Sequence, residues 1–222
     1  VSSALARYVR STVSYRGPME IIENGIPGDV FRPMPQNACR RELGLPLKGV
    51  FIGTAGAISK SRGVQTLFRA FEGISRERKD VHLVLAGYRD RTLALPENPR
   101  VHYLGVLPPR KVPVLLSSLD VSVICNRNSA FGNFCFPQKF YESLACGVPT
   151  VAAGTEVMRE LLGSYPAHLF LPENVESLVN ALYRQIEEPS DLPMAVPSWD
   201  MLGNRLSDFL QNKIAHIVRQ QN

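Results

Sequence analysis

Two stretches of this sequence bring glycines, cations and a carboxylate together at spacings suited to an anionic ligand. The first is GTAGAISKSRG, Gly53 to Gly63, lying between an apolar run and an amphipathic one. Gly53 and Gly56 allow close backbone approach. Lys60 and Arg62 stand at the mouth of the following helix, where free amides and the helix dipole also favour negative charge. A phosphate or diphosphate is the natural guest. The spacing is neither the dinucleotide GxGxxG nor the Walker pattern, because Ser59 precedes Lys60 where the latter needs glycine. On spacing alone, a flexible turn with two solvated cations fits equally well.

The second stretch is FGNFCFPQKFYESLACGVPTVAAG, Phe131 to Gly154. Pro137 suits a helix start and Gly147 with Pro149 its end, which predicts a helix to about Cys146. Phe140 with Leu144, and Tyr141 with Ala145, are four apart and face a core. Gln138, Lys139 and Glu142 then share another face near the helix start. Either Lys139 and Glu142 form an ordinary surface pair, or Glu142 is placed to accept two hydrogen bonds from a ribose diol beside amides that grip phosphate.

The elements that must position these residues follow from periodicity. Short apolar runs at 49–56, 81–87, 101–105, 121–125, 149–154 and 168–171 read as strands, and several end in glycine. Strands so uniformly apolar belong in a sheet covered on both faces. Between them, Val64 to Ile74, Val112 to Leu119, Gln138 to Ala145, Val157 to Leu162 and Val175 to Ile186 read as helices. The alternation predicts an α/β fold, a Rossmann-like doubly wound parallel sheet. Leu5, Tyr8, Val9 and Val13 predict an opening helix capped by a serine. An extended MEIIENGIP follows, with Asn24-Gly25 as a turn, and Arg32 to Pro46 reads as a connection with one helical turn. After Pro197, Trp199, Leu202, Leu206, Phe209, Leu210, Ile214 and Ile217 predict a long closing helix.

Composition narrows the function classes. With 222 residues, 45% hydrophobic, 20% charged and 8% aromatic, the chain has the make-up of a globular domain rather than a disordered or fibrous one. Its net charge of +5 is scattered, and the aromatic interleaving of a single-strand nucleic-acid platform is missing, so nucleic acid is not an expected partner. Cys39, Cys125, Cys135 and Cys146 have neither CxxC nor histidine spacing and point to reduced thiols rather than zinc. The histidines His82, His102, His168 and His216 read as packing or surface residues, and Asp120 as a local cap or pair. The first residue is Val1, and the opening has no long apolar run, so a fragment or processed chain is expected.

At Glu142 and the ACGVPTVA that follows it, the sequence resembles the signature of the family 4 retaining glycosyltransferases of the GT-B fold. That signature has two glutamates; Glu142 matches the second and Phe134 stands at the first. PQKFYESLACG is similar to a family variant with Pro-x-Lys-x-x-Glu before Ala-x-Gly-x-Pro. ENGIPGDVFRP, AGAISKSRGVQTLFRAF, VLAG, VHYLGVLPPRKVPVLLSSLDVSV and PSWDMLGNRL extend the likeness over nearly the whole chain. Arg62 stands at the family's lysine, and Ala57 where the family usually has arginine.

The resemblance implies the C-terminal half of a two-domain enzyme that binds a nucleoside-diphosphate sugar. Residues 1–19 would be a linker helix from the end of an N-terminal domain, 20–197 the nucleotide-sugar-binding domain and 198–222 the closing helix. Lys60 and Arg62 would stabilise the leaving diphosphate. Gly56, Ser59, Leu107, Pro137, Gln138, Lys139 and Glu142 would bind donor, with Glu142 on the ribose and the backbone near Leu107 on the base. The segment from Phe131 to Gln138 would lie against the sugar. The implied reaction transfers a hexose-type sugar to a glycan or lipid-linked acceptor with retention, needing no metal or other cofactor. The acceptor would sit on the other domain, so this chain alone should be inactive. A cytoplasmic setting with peripheral membrane contact is implied. A GT-B-like nucleotide-sugar epimerase and a non-catalytic binding module are the alternatives, the latter favoured by Ala57 and Phe134.

Overall fold

The computed structural model describes residues 2–136 and 138–220, with side chains as far as 213. Six strands form one sheet: β1 (Val50–Ala55), β2 (Val81–Ala86), β3 (Val101–Tyr103), β4 (Val121–Ile124), β5 (Thr150–Ala153) and β6 (Leu169–Phe170). Their order is β3-β2-β1-β4-β5-β6, and every pairing is parallel. Each of the six apolar runs read from the sequence is a strand. The helices are α1 (Ser3–Thr12), α2 (Gln36–Glu42), α3 (Val64–Glu77), α4 (Val112–Ser118), α5 (Ala130–Phe134), α6 (Gln138–Ala145), α7 (Glu156–Leu162), α8 (Val175–Glu187) and α9 (Trp199–Gln220).

The pleat sends alternate residues into two cores. On one face Phe51, Val84, Ala86, Ile124 and Ala152 pack with Leu115, Leu116 and Phe140 of α4 and α6. On the other, Ile52, Leu83, Leu85, Val123 and Val151 meet Leu67, Phe71 and Leu182 of α3 and α8. Burial on both faces is what the uninterrupted apolar runs require. From β1 the chain winds outward through β2 to β3, then crosses back to β4 beside β1. In such sheets ligands sit outside the carboxyl ends of the two strands at that reversal.

Several local expectations need correcting. Arg32 to Pro46 holds a helix of two turns, α2, because Cys39 and Arg40 are buried against α4, a contact no apolar period announces. Asn24-Gly25 is not a turn: both residues lie in irregular backbone leading into the bridge at Ile26. Ile26 bridges to Ser198, and a side chain on Gly25 would strike the backbone of Ser198 and Trp199. In α1 the cap is right, since the Ser2 hydroxyl accepts from the Leu5 amide at 3.1 Å, but Ala4 is the buried residue while Tyr8 and Val13 are exposed. Residues 130–134 are a short helix rather than loop. In α9, Leu202 is buried against the domain, whereas Leu206 and Leu210 are exposed. The side chains of Ile214, His216 and Ile217 lie outside the described residues.

Candidate functional site

A cavity of about 290 Å³ opens where the sheet reverses, between the carboxyl ends of β1 and β4. Thr54 and Ala57 form its floor on the β1 side, with Ile124, Cys125 and Asn126 on the β4 side. The chain leaving β1 is held away from the mouth by backbone bonds from Ile58 N to Tyr88 O and from Asp90 N to Ile58 O, at 2.7 and 3.0 Å. A 3-10 turn at Lys60–Arg62 and Gly63 in a left-handed conformation then start α3, which brings Arg62 back over the cavity. The other wall is the first turn of α6, where Gln138, Lys139 and Glu142 all reach the cavity as their spacing predicts.

The electrostatics are unusual for so open a place. Burial, and then the nearby Arg62 guanidinium, push the Lys139 ammonium below its ordinary 10.5. Burial raises Glu142 above the usual carboxylate range, with the Lys139 charge opposing that shift. Among the described residues neither side chain forms a hydrogen bond or an ion pair, so the ordinary Lys–Glu surface pair is not what the structure contains. Lys139 instead lies across Gly56, whose φ is +123° and where any Cβ would collide with the lysine's terminal carbons and nitrogen. Gly56 is therefore a seat for Lys139. Arg62 lies 4.3 Å over the Phe131 ring. Two cations, one carboxylate and buried Asn126 thus border one cavity at the reversal of the sheet. A polar ligand carrying both a diol and a doubly charged anion has partners there.

Other expected site residues lie elsewhere. Lys60 is exposed and does not line the cavity; its charge acts on Asp90. The reason is local, since the 3-10 turn carries residues 60 and 62 to different sides. Ser59 pairs its hydroxyl with that of Ser61 at 3.0 Å, also away from the cavity. Leu107 is half-buried against the α4 face of the core. Gly53 is inside β1, where its missing Cβ accommodates the Val84 carbonyl and Leu119 rather than a ligand. Pro137 lies outside the described residues. Asn24, Thr54 and Asn126 line the cavity without having been singled out. For Asn126 the signal was its place just after β4, at the reversal.

All four cysteines are free, and Cys125 and Cys135 border the cavity; burial pushes the Cys125 thiol up to about 12. His82 and His102 bond to each other at 3.0 Å, and His168 bridges Thr150 O and Ser190 at 2.8 and 2.9 Å, which are packing roles. Asp120 pairs, as a structural and not a catalytic residue, but with partners far along the chain instead of local ones: Arg40 at 2.8 Å and the Phe51 amide at 2.6 Å. Among the described residues no group of three His, Cys, Asp or Glu side chains could hold a metal ion, and no helix is long and apolar enough to cross a membrane.

The sheet order, with its reversal between β1 and β4, defines a Rossmann-like, doubly wound α/β domain. Residues 49–188 match the family described as Glycosyl transferases group 1, and the chain belongs to that family. It is 29% identical over 164 residues to a D-inositol 3-phosphate glycosyltransferase of Thermobispora bispora, covering 65% of this chain and 37% of the relative. Its fold is similar to that of sucrose-phosphate synthase from Thermosynechococcus elongatus, with a TM-score of 0.78, 20% identity, 97% of this chain and 58% of that one. It is also similar to Anabaena HepE, solved in complex with UDP and glucose, with a TM-score of 0.70, 19% identity, 86% of this chain and 56% of that one. The chain spans 37% of that curated relative and 58% and 56% of these two structures.

Proposed function

We propose that this chain is the donor-binding, C-terminal half of a family 4, GT-B glycosyltransferase that moves a hexose-type sugar from a nucleoside diphosphate to a glycan or lipid-linked acceptor with retention. The observation that carries the reading is the cavity at the sheet reversal, where Arg62, Lys139 and Glu142 converge with no hydrogen bond or ion pair among the described residues. The relative named as a glycosyltransferase and the UDP and glucose bound to HepE support a nucleotide-sugar donor. As the bond to the sugar breaks, positive charge grows on the sugar ring and negative charge on the departing diphosphate. Arg62 and Lys139 stabilise that anion. They take the role expected of Arg62 and Lys60, and two fixed cations in a partly buried site supply the charge stabilisation a metal would otherwise give. Glu142, ionised, accepts from both hydroxyls of the ribose. The acceptor site and the rest of the active site belong to a second domain, so this chain by itself binds donor without turning it over.

Phe134 favours the binding-module alternative. Where the family signature has its first glutamate, this ring packs tilted against Tyr8 with centroids 5.0 Å apart, and the Phe134 carbonyl accepts from Ser2, so no carboxylate reaches the cavity from that position. Turnover by the protein with its second domain separates the two readings.

Calorimetry with UDP, GDP and ADP, each against its nucleoside, tests the site. Glu142→Ala and Glu142→Gln should weaken diphosphate and nucleoside alike by about 1.5–3 kcal/mol, roughly ten- to a hundredfold. Arg62→Ala should weaken the diphosphate far more than the nucleoside. Unchanged affinity in both Glu142 variants, with the fold intact, removes the ribose assignment.

A further inference from the structure

Arg62 and Lys139 border the same cavity, and the Arg62 charge disfavours that of Lys139. Arg62 is half-buried and has no hydrogen bond among the described residues, so holding it in place costs side-chain entropy that some other contact must offset. What holds it is an aromatic face. The Arg62 guanidinium carbon sits 4.3 Å above the centroid of Phe131, a ring left 49% exposed. A guanidinium stacked on a ring uses its face, while its N–H donors point outward in the guanidinium plane. Among the described residues no side chain or carbonyl accepts from those donors.

The ring is itself firmly placed. It stands on α5, a helix too short to hold itself, which three other segments fix. The Ser129 hydroxyl caps it by accepting from the Gly132 amide at 3.2 Å, and Asn133 Oδ1 accepts from the Glu156 amide at the start of α7 at 3.0 Å. Gly132 lies so close to the Arg127 carbonyl, next to cavity residue Asn126, that no side chain would fit. Phe134 on the following turn is tied to α1 through Ser2 and Tyr8.

We propose that Phe131 is a positioning residue: it holds the Arg62 guanidinium face-on so that its edge is presented to the diphosphate of the donor. This rests on the proposed nucleotide-sugar site and adds to it a residue that acts through Arg62 rather than on the ligand. A purely apolar role for Phe131 is the competing account, and it predicts different partners for the effect.

The test is binding of UDP, GDP and ADP, and of uridine, guanosine and adenosine, to wild type, Phe131→Ala, Phe131→Tyr, Arg62→Ala and the Phe131→Ala/Arg62→Ala double variant. Circular dichroism and thermal melting check that each is folded. Phe131→Ala should weaken the best diphosphate about three- to tenfold, leave its nucleoside unchanged, and be rescued by Phe131→Tyr, which keeps the ring face. In the Arg62→Ala background the same change should have no further effect, because the residue it positions is gone. The proposal is overturned if Phe131→Ala leaves diphosphate affinity at the wild-type value. It is equally overturned if the loss is the same with Arg62 absent, or falls on nucleoside and diphosphate alike. Wild type binding none of the three diphosphates would instead overturn the donor-site reading, and this inference with it.

Discussion

Arg40 and Arg62 each lie over a phenylalanine ring, at 4.2 and 4.3 Å, at opposite ends of the same sheet. At the amino ends of the strands the edge of Arg40 is fully used. Its Nε donates to Ser118 O at 3.0 Å, one Nη reaches the Leu47 and Gly49 carbonyls, and the other meets Asp120 at 2.8 Å. Asp120 in turn accepts from the Phe51 amide and from Gln36. At the carboxyl ends Arg62 has the same stacking and no acceptor among the described residues. The same side chain on the same kind of ring is a structural tie where the fold supplies acceptors, and an open anion site where it withholds them. What separates the two is which acceptors come within reach: Arg40 has Asp120 and the Ser118, Leu47 and Gly49 carbonyls, whereas Arg62 shares its cavity with a second cation and with Glu142, to which it is not bonded.

The largest effect expected from that contrast is on stability. Arg40→Met leaves three carbonyls without their donor and Asp120 with only the Phe51 amide and Gln36, and should lower unfolding free energy by about 2–3 kcal/mol in urea. Arg62→Ala, which removes a half-buried side chain with a ring contact but no polar partner among the described residues, should cost about 1 kcal/mol or less. Equal losses would end the distinction between a closed and an open arginine.

A middle-sized effect belongs to the open end at alkaline pH. Burial and Arg62 hold the Lys139 pKa below 10.5, and a bound diphosphate favours the ammonium. Binding therefore takes up a proton once the pH passes the lowered pKa. UDP affinity should fall with rising pH there by up to about tenfold per unit, and stop falling when the bound-state pKa is passed. Lys139→Met should bind more weakly and show no such slope; a slope that survives assigns the proton elsewhere.

The smallest effect is at the closed end under acid. His82 stacks on Phe51 with centroids 4.6 Å apart and shares a hydrogen bond with His102. Burial lowers both pKa values below 6.5, and for His82 the charges of His102, Arg100 and Arg40 add to the lowering while Asp80 opposes it. The unfolded chain then binds protons from about pH 6.5 downward that the folded chain does not. Stability should decline across that range and level off below the folded pKa values. His82→Phe should flatten the decline in urea midpoints between pH 7.5 and 5.5. An unchanged decline would place the responsible groups outside this stack.

The sequence by itself determined the six strands, the helices between them, the doubly wound class and the face shared by Gln138, Lys139 and Glu142, because two-sided burial and helical phase are written into which positions are apolar. It did not determine α2 or α5, since Cys39 and Arg40 are buried by partners far along the chain and Ala130–Phe134 is too short for a period. Nor could it choose among cations. Lys60 is nearer in sequence to the glycine turn, yet it is exposed and does not line the cavity, while Lys139 arrives from another helix to lie over Gly56. Whether Arg62 is tied like Arg40 or left open depends on which carbonyls and carboxylates come within 3 Å of its edge. That is decided only when strands distant in sequence pack side by side, because hydrogen bonds act over ångströms and the sequence records order along the chain.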